Sequence, residues 1–172
     1  FSEVIGQEAL KKQLVHLVEQ KRLSHALLFA GPEGAGTLPL AIAFAQYIVS
    51  LPANNEGAVA DLFGSTTTAV KEDTFYTPDQ IENLPAYHRA SKLMHPDLHF
   101  SFPVILAETK ISDGSSASWR EQLNEQPYFD YPAWLNRIDP KGRQAAIGVD
   151  EGLNIIKKLS LKSYEGGFKV RM

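Results

Sequence analysis

An α/β fold, with a parallel sheet between helical layers, is predicted by three features of the sequence. The run Ala26–Ala30 is short, apolar and closed by Gly31-Pro32, as a central parallel strand buried on both faces would be. The run Gly36–Val49 is then apolar nearly all round, the signature of a helix packed against a sheet. Farther on, strand-like runs at His99–Leu106 and Phe168–Met172 are separated by helical patterns. The last run stops inside a strand, so a domain cut from a longer protein, with an exposed sheet edge prone to pairing, is the expectation.

The chain has 172 residues, enough for one domain with a sizeable core. Its 44% hydrophobic and 22% charged content is ordinary for a soluble globular protein. A net charge of −3 supplies no global basic field for nucleic acid. No cysteine is present, which excludes disulfides and cysteine-ligated zinc and fits a reducing compartment. No apolar run approaches the roughly 20 residues of a membrane span, and the first residues do not read as a signal peptide. A cytoplasmic protein is expected.

Gln7–Arg22 is predicted to be an amphipathic helix, with Leu10, Leu14, Leu17 and Val18 on one stripe. Arg22–His25 is a connector, and His25 is read as structural. Between strand and buried helix lies Gly31-Pro32-Glu33-Gly34-Ala35-Gly36-Thr37-Leu38, which has the glycine spacing of a phosphate-binding loop, G-x-x-x-x-G-K-[ST]. In a working loop the backbone N–H groups cradle phosphates, a Lys reaches the terminal phosphates, and a Ser or Thr hydroxyl binds Mg²⁺. Thr37 stands at the Lys position and Leu38 at the Ser/Thr position. A hydroxyl cannot replace an ammonium, and an isobutyl group cannot ligate a metal. The loop is therefore read as a degenerate frame, its glycines kept for the strand-to-helix turn. Pro39 suits only a first helical turn, so the helix is placed to start near Gly36.

From Leu51 to Ala90 the sequence turns loop-like, with Pro52–Gly57 and Gly64–Thr68 rich in turn residues, and a partly helical stretch is expected over Asp79–Leu93. Pro103 marks an end or break in the His99–Leu106 strand. Glu108–Ser118 reads as a loop, and Trp119–Leu123 and Pro132–Ile138 as short helices. Trp119, Tyr128, Phe129, Tyr131 and Trp134 are expected to pack onto the core. Val149–Leu161 is predicted helical, with Val149, Leu153, Ile156 and Leu159 on one stripe and Lys157, Lys158 and Lys162 near its end. Tyr164–Gly167 reads as a turn.

Three other readings compete. His88, His95, Asp97 and His99 include an H-x-D-x-H pattern that, if extended, puts three metal-ligating groups on one face, although Pro96 favours a turn there. A functioning ATPase needs a surrogate for the missing loop Lys. Lys157, Lys158, Lys162, Lys169 and Arg171 form a modest basic cluster that a nucleic acid could use.

Val4-Ile-Gly-Gln7, the following helix, Ser24–Gly36, His95–His99 and Leu161–Val170 together resemble the N-terminal AAA+ module of bacterial clamp-loader subunits. The loop without Lys resembles the delta-prime family, its non-hydrolysing member, and the Trp119-Arg-Glu and Trp134-Leu stretches resemble its Bacteroidetes branch. The resemblance implies a P-loop-type three-layer sandwich, with 51–98 and 107–148 as insertions in a single domain over 1–172. It implies no catalytic residue. Gly31–Leu38 is then the degenerate phosphate loop, and Val4, Ile5 and Gly6 lie beside an adenine pocket. It also implies a stator with no activity of its own, part of the DNA polymerase holoenzyme, supporting ATP-driven loading of a sliding clamp onto primed DNA. Its expected partners are gamma/tau-type and delta-type clamp-loader subunits, with DNA contact indirect and no membrane. No cofactor is expected: the loop lacks its ATP and Mg²⁺ groups, and the family's four-cysteine zinc module cannot exist without cysteine. A gamma/tau-like ATPase and a metal-binding domain remain the alternatives.

Overall fold

The helix at the centre of the protein is the one that follows the glycine loop. In the computed structural model, which describes residues 1–52, 76–165 and 167–172, the elements run α1 (Glu8–Glu19), α2 (Thr37–Val49), α3 (Pro78–Glu82), α4 (Pro85–Ser91), β1 (Leu98–His99), a 3₁₀ turn (Ser112–Ser115), α5 (Ser116–Glu125), α6 (Tyr131–Ile138), α7 (Val149–Ser160) and β2 (Val170–Arg171). The turn-rich stretches expected at Pro52–Gly57 and Gly64–Thr68 lie, but for Pro52, outside the described residues, as does Gly166 of the Tyr164–Gly167 turn.

α2 is apolar all round because two apolar clusters share it. Ile42, Ala45 and Val49 face one cluster with Leu93, Leu98, Phe102, Val104, Trp119 and Trp134. Leu40, Ala43, Phe44, Tyr47 and Ile48 face the other, with Phe1, Val4 and Ile81, and with Leu14, Val15 and Val18 of α1 packed against it. Leu10, on the stripe expected for α1, instead lies 44% exposed. The helical stretch expected over Asp79–Leu93 forms as α3 and α4. Thr77 starts α3 with a capping box: its N–H donates to Gln80 Oε1 at 2.9 Å, and its hydroxyl accepts the Gln80 N–H at 3.4 Å.

β1 and β2 pair in parallel, Leu98 with Val170 and His99 with Arg171. This is the only sheet among the described residues, so α helices with a small parallel sheet are present, consistent with the expected α/β class, but a layered sandwich is not developed. The strand expected at Ala26–Ala30 does not form. A strand exists by pairing its N–H and C=O groups with a neighbour, and none among the described residues pairs with this run. Only Phe29 packs inward; Leu28 is 91% exposed.

The strand expected at His99–Leu106 is also shorter, ending at His99, with an isolated antiparallel pairing of Val104 and Ala146 beyond Pro103. Proline has no N–H to donate there, but its carbonyl accepts the Trp134 Nε1–H at 2.8 Å. Trp134 and Trp119 stand perpendicular with centroids 5.0 Å apart, and Phe102 stacks on Trp119 at 4.3 Å. Trp119, Phe129 and Trp134 belong to the first cluster, as expected, whereas Tyr131 stays 47% exposed and Tyr128 joins neither cluster. The loop expected over Glu108–Ser118 instead holds the 3₁₀ turn and the start of α5. The Ser112 N–H and hydroxyl, at 2.9 and 2.7 Å from the Glu151 carboxylate, hold that turn.

α7 forms where predicted but faces the other way. Glu151, Asn154, Ile155 and Lys158, spaced i, i+3, i+4, i+7, turn inward. The apolar stripe Val149, Leu153, Ile156 and Leu159 is 53–82% exposed. The reason is Glu151, 1% exposed, which forms an ion pair with the buried Arg171 guanidinium of β2 and accepts the Ser101 hydroxyl at 2.7 Å. A buried carboxylate must keep its partners, and keeping them fixes the helix rotation.

Candidate functional site

The glycine loop lies against the N-terminal segment. Ala35 N–H donates to Pro32 O at 3.1 Å, closing a turn, and Gly34 and Gly36 take positive φ of 78° and 75°. Left-handed backbone favours glycine at these two places, while at Gly31, whose φ is not positive, an added Cβ would press on Thr37 and Ala35 at 3.0 and 3.3 Å. Gly36 leads directly into α2 as its N-cap, and Pro39 falls in the first turn.

The two positions that would carry chemistry are used for packing. Leu38 packs against the first apolar cluster. The Thr37 methyl lies against Gly31, 3.0 Å from where a Cβ on that glycine would stand. Glu33 at the loop tip is exposed, and a carboxylate there opposes a bound anion. Nothing in the loop itself supplies the cation or metal ligand of a working site.

Two hydrogen bonds bring the segment of Val4, Ile5 and Gly6 to this loop. Gln7 Nε2 donates to Ala35 O at 3.0 Å, and Ile5 N–H donates to the Tyr128 hydroxyl at 2.8 Å. Val4 is buried in the second cluster, and its carbonyl accepts Lys11 Nζ at 2.7 Å. Gly6 and Gln7 both take left-handed φ, 64° and 60°, which turns the chain from this segment into α1.

Tyr128 is the participant that the sequence reading missed as a site residue, having assigned it only to core packing. Its ring lies on Gly36, with Cε1 3.0 Å from the position of an added Cβ. It arrives from 123 positions away from its partner Ile5, a separation no local pattern encodes. Its placement is firm at both ends: Phe129 meets Trp119 edge-on at 5.4 Å, and Asp130 caps α6 by accepting the Ala133 N–H at 2.8 Å.

The H-x-D-x-H residues do not converge as a ligand set. Residues 95–98 form a turn, closed by Leu98 N–H to His95 O at 3.1 Å, as Pro96 favours. The extended face that would align His95, Asp97 and His99 is therefore absent. Asp97, 2% exposed, accepts the Tyr164 and Glu165 N–H groups at 2.7 and 2.9 Å. His95 Nδ1 accepts the Asp97 N–H at 3.2 Å, and its buried Nε2, 3.3 Å from Glu165, makes no hydrogen bond among the described residues. Burial, then the charges of Lys158, Lys169 and Arg171, hold the His99 imidazole below its usual pKa. Among the described residues no group of three or more His, Asp or Glu is arranged to hold a metal ion.

The basic cluster also disperses. Lys158 pairs with Asp113 at 2.6 Å. Lys169 Nζ donates to the carbonyls of Lys158 and Leu161, both at 2.9 Å, closing the end of α7. Arg171 is buried on Glu151, so only Lys157 and Lys162 stay fully in solvent. No helix of the described residues is long and apolar enough to cross a membrane.

Comparison with known proteins gives two partial matches. Residues 6–83, under half of the chain, match the family model described as DNA polymerase III, delta subunit. A segment of 48 residues is 44% identical to DNA polymerase III subunit tau of Bacillus subtilis (strain 168), covering 28% of this chain and 8% of that protein. No solved structure matches. Together the two matches support the clamp-loader-type DNA polymerase III subunit family for this chain.

Proposed function

We propose that this chain is a delta-prime-like, non-hydrolysing clamp-loader subunit of the AAA+ class. In this reading it supports ATP-driven loading of a sliding clamp onto primed DNA by presenting surfaces to gamma/tau-type and delta-type neighbours. The observation that carries it is the loop: Thr37 and Leu38 occupy the positions of the phosphate-binding Lys and the Mg²⁺-binding hydroxyl, and both are engaged in packing. The outward stripe of α7 and the unpaired run at Leu27-Leu28 supply apolar surface for such contacts. A cytoplasmic location and the absence of a resident cofactor belong to the same proposal, as do the assignments of 51–98 and 107–148 as insertions in one domain.

The likeness to subunit tau favours a second reading, a gamma/tau-like nucleotide-binding subunit. Calorimetry with ATP and ADP, with and without Mg²⁺, separates the two, together with a phosphate-release assay on the full-length protein. The stator reading expects no Mg²⁺-dependent tight binding and no turnover. Micromolar Mg²⁺-dependent ATP binding with turnover that Gly36→Ala abolishes establishes the second reading instead. Reconstitution with ATPase subunits tests the assembly itself: failure of this protein to enter the complex sinks both.

A further inference from the structure

A planar ring already rests on the glycine loop, and it belongs to the protein. Tyr128 makes two contacts there. Its ring edge abuts Gly36, with Cε1 3.0 Å and Cδ1 and Cζ 3.8 Å from where a Cβ would stand, and its hydroxyl oxygen on the same edge accepts the Ile5 N–H at 2.8 Å. A flat group set edge-on between the loop and the N-terminal segment, with an acceptor on that edge, is the shape and polarity that a nucleobase would present to the same two segments. We propose that Tyr128 is an internal occupant of this place: it joins the Val4–Gly6 segment to the loop without nucleotide and keeps a base out. The inference rests on reading the loop as the frame of a nucleotide site.

Three features make the phenol a fixed latch. The loop that carries it is short, running from the end of α5 at Glu125 to the Asp130 cap of α6. Gln126 Nε2 donates to the Tyr128 carbonyl at 3.2 Å, bracing that loop from within. The neighbouring Phe129 is anchored in the tryptophan cluster, so withdrawing Tyr128 means disturbing that packing. On the other side, Gln7 and Ala35 hold the N-terminal segment at the loop independently of the phenol. Loss of the hydroxyl alone therefore frees the Ile5 amide without releasing the whole segment.

The test compares full-length wild type, Tyr128→Phe and Tyr128→Ala by amide hydrogen exchange and by ADP titration without Mg²⁺. Tyr128→Phe keeps the ring and removes the acceptor, so exchange at Ile5 is expected to rise roughly fivefold while the α2 amides stay unchanged. Tyr128→Ala opens the place, and ADP is expected to bind it roughly tenfold or more tightly than wild type. Unchanged Ile5 exchange in Tyr128→Phe overturns the latch, and this holds even if the alanine variant does not fold. Equal ADP affinity in wild type and a folded Tyr128→Ala, including no affinity in either, overturns the occlusion. Phosphate release by wild type overturns both the non-hydrolysing reading and the occlusion, since nucleotide must then enter, and leaves the Ile5 result to decide the latch.

Discussion

Replacing Glu151 with Ala should be among the most damaging single changes in the protein. The carboxylate is 1% exposed and holds four donors: the Ser112 N–H at 2.9 Å, the Ser112 and Ser101 hydroxyls at 2.7 Å each, and the Arg171 guanidinium. Arg171 is itself buried, and its Nη1 finds no partner even in the intact protein, so removing Glu151 strands a charge in the interior. Breaking a buried pair in this way costs about 3–5 kcal/mol. At about 2–4 °C per kcal/mol for a chain of this size, the melting temperature should fall by about 6–20 °C. The double change Glu151→Leu with Arg171→Met removes the stranded charge and should recover much of the loss. It still leaves the Ser112 N–H unpaired, so about 1–3 kcal/mol of deficit should persist. Paired denaturant and thermal melts measure all three proteins. A single-variant cost under about 1 kcal/mol would refute the reasoning, because it means that water reaches Arg171. The pH dependence gives an independent check. Burial raises the Glu151 carboxyl, but the Ser112 amide, the two serine hydroxyls and Arg171 outweigh it and hold its pKa below the usual value. A depressed carboxylate contributes stability above its unfolded pKa of about 4.3 and loses it as pH falls through the lower folded value. Glu151→Ala should therefore show a shallower acid limb than wild type.

Other outcomes follow from the same packing. Trp134→Ala should cost about 3–5 kcal/mol in denaturant melts, because it empties the centre of the aromatic cluster, and Trp134→Phe, which loses the bond to Pro103 but keeps a ring, should cost clearly less. Asp97→Asn keeps one acceptor for two N–H groups and should lower stability by about 1–3 kcal/mol, with amide exchange quickening at Tyr164 and Glu165. Phenolate absorbance should show Tyr47 and Tyr87 titrating late, both pushed up to about 12, first by burial and then by nearby glutamates. Their raised pKa values mean that stability should decline as pH rises from about 10 toward that range. Leu153→Ser on the exposed stripe should leave the protein's own stability within about 0.5 kcal/mol and, under the proposed function, weaken its retention in a reconstituted clamp loader; a large fold-stability loss would show that the stripe is already covered.

Helix α2 was legible in the sequence because its signals are local. Continuous apolar character, Pro39 in a permitted turn and glycines where φ is positive all act within a few residues. Thr77 and Asp130 cap the starts of their helices by equally local contacts, which the structure adds. The strand at Ala26–Ala30 was misjudged for the opposite reason. Apolar character suits a strand, but pairing is a property of the neighbour, and none among the described residues pairs with it. His95, Asp97 and His99 could be suspected of metal ligation only by assuming extended backbone, and the turn at Pro96 sends them to separate partners.

By itself the sequence determined the loop's chemistry: no Lys, no metal-binding hydroxyl and glycines at the turn are facts of composition and spacing. It also determined that α7 is amphipathic. Only the tertiary structure decided which face of α7 turns inward, because one buried carboxylate with four donors outweighs a stripe of four apolar side chains. Only the tertiary structure placed Tyr128 on Gly36, since that contact depends on two tryptophans and a helix cap far away in the chain holding a short loop in position. Helical periodicity is encoded within a few residues, whereas burial of charge and the meeting of distant segments are settled by the whole fold.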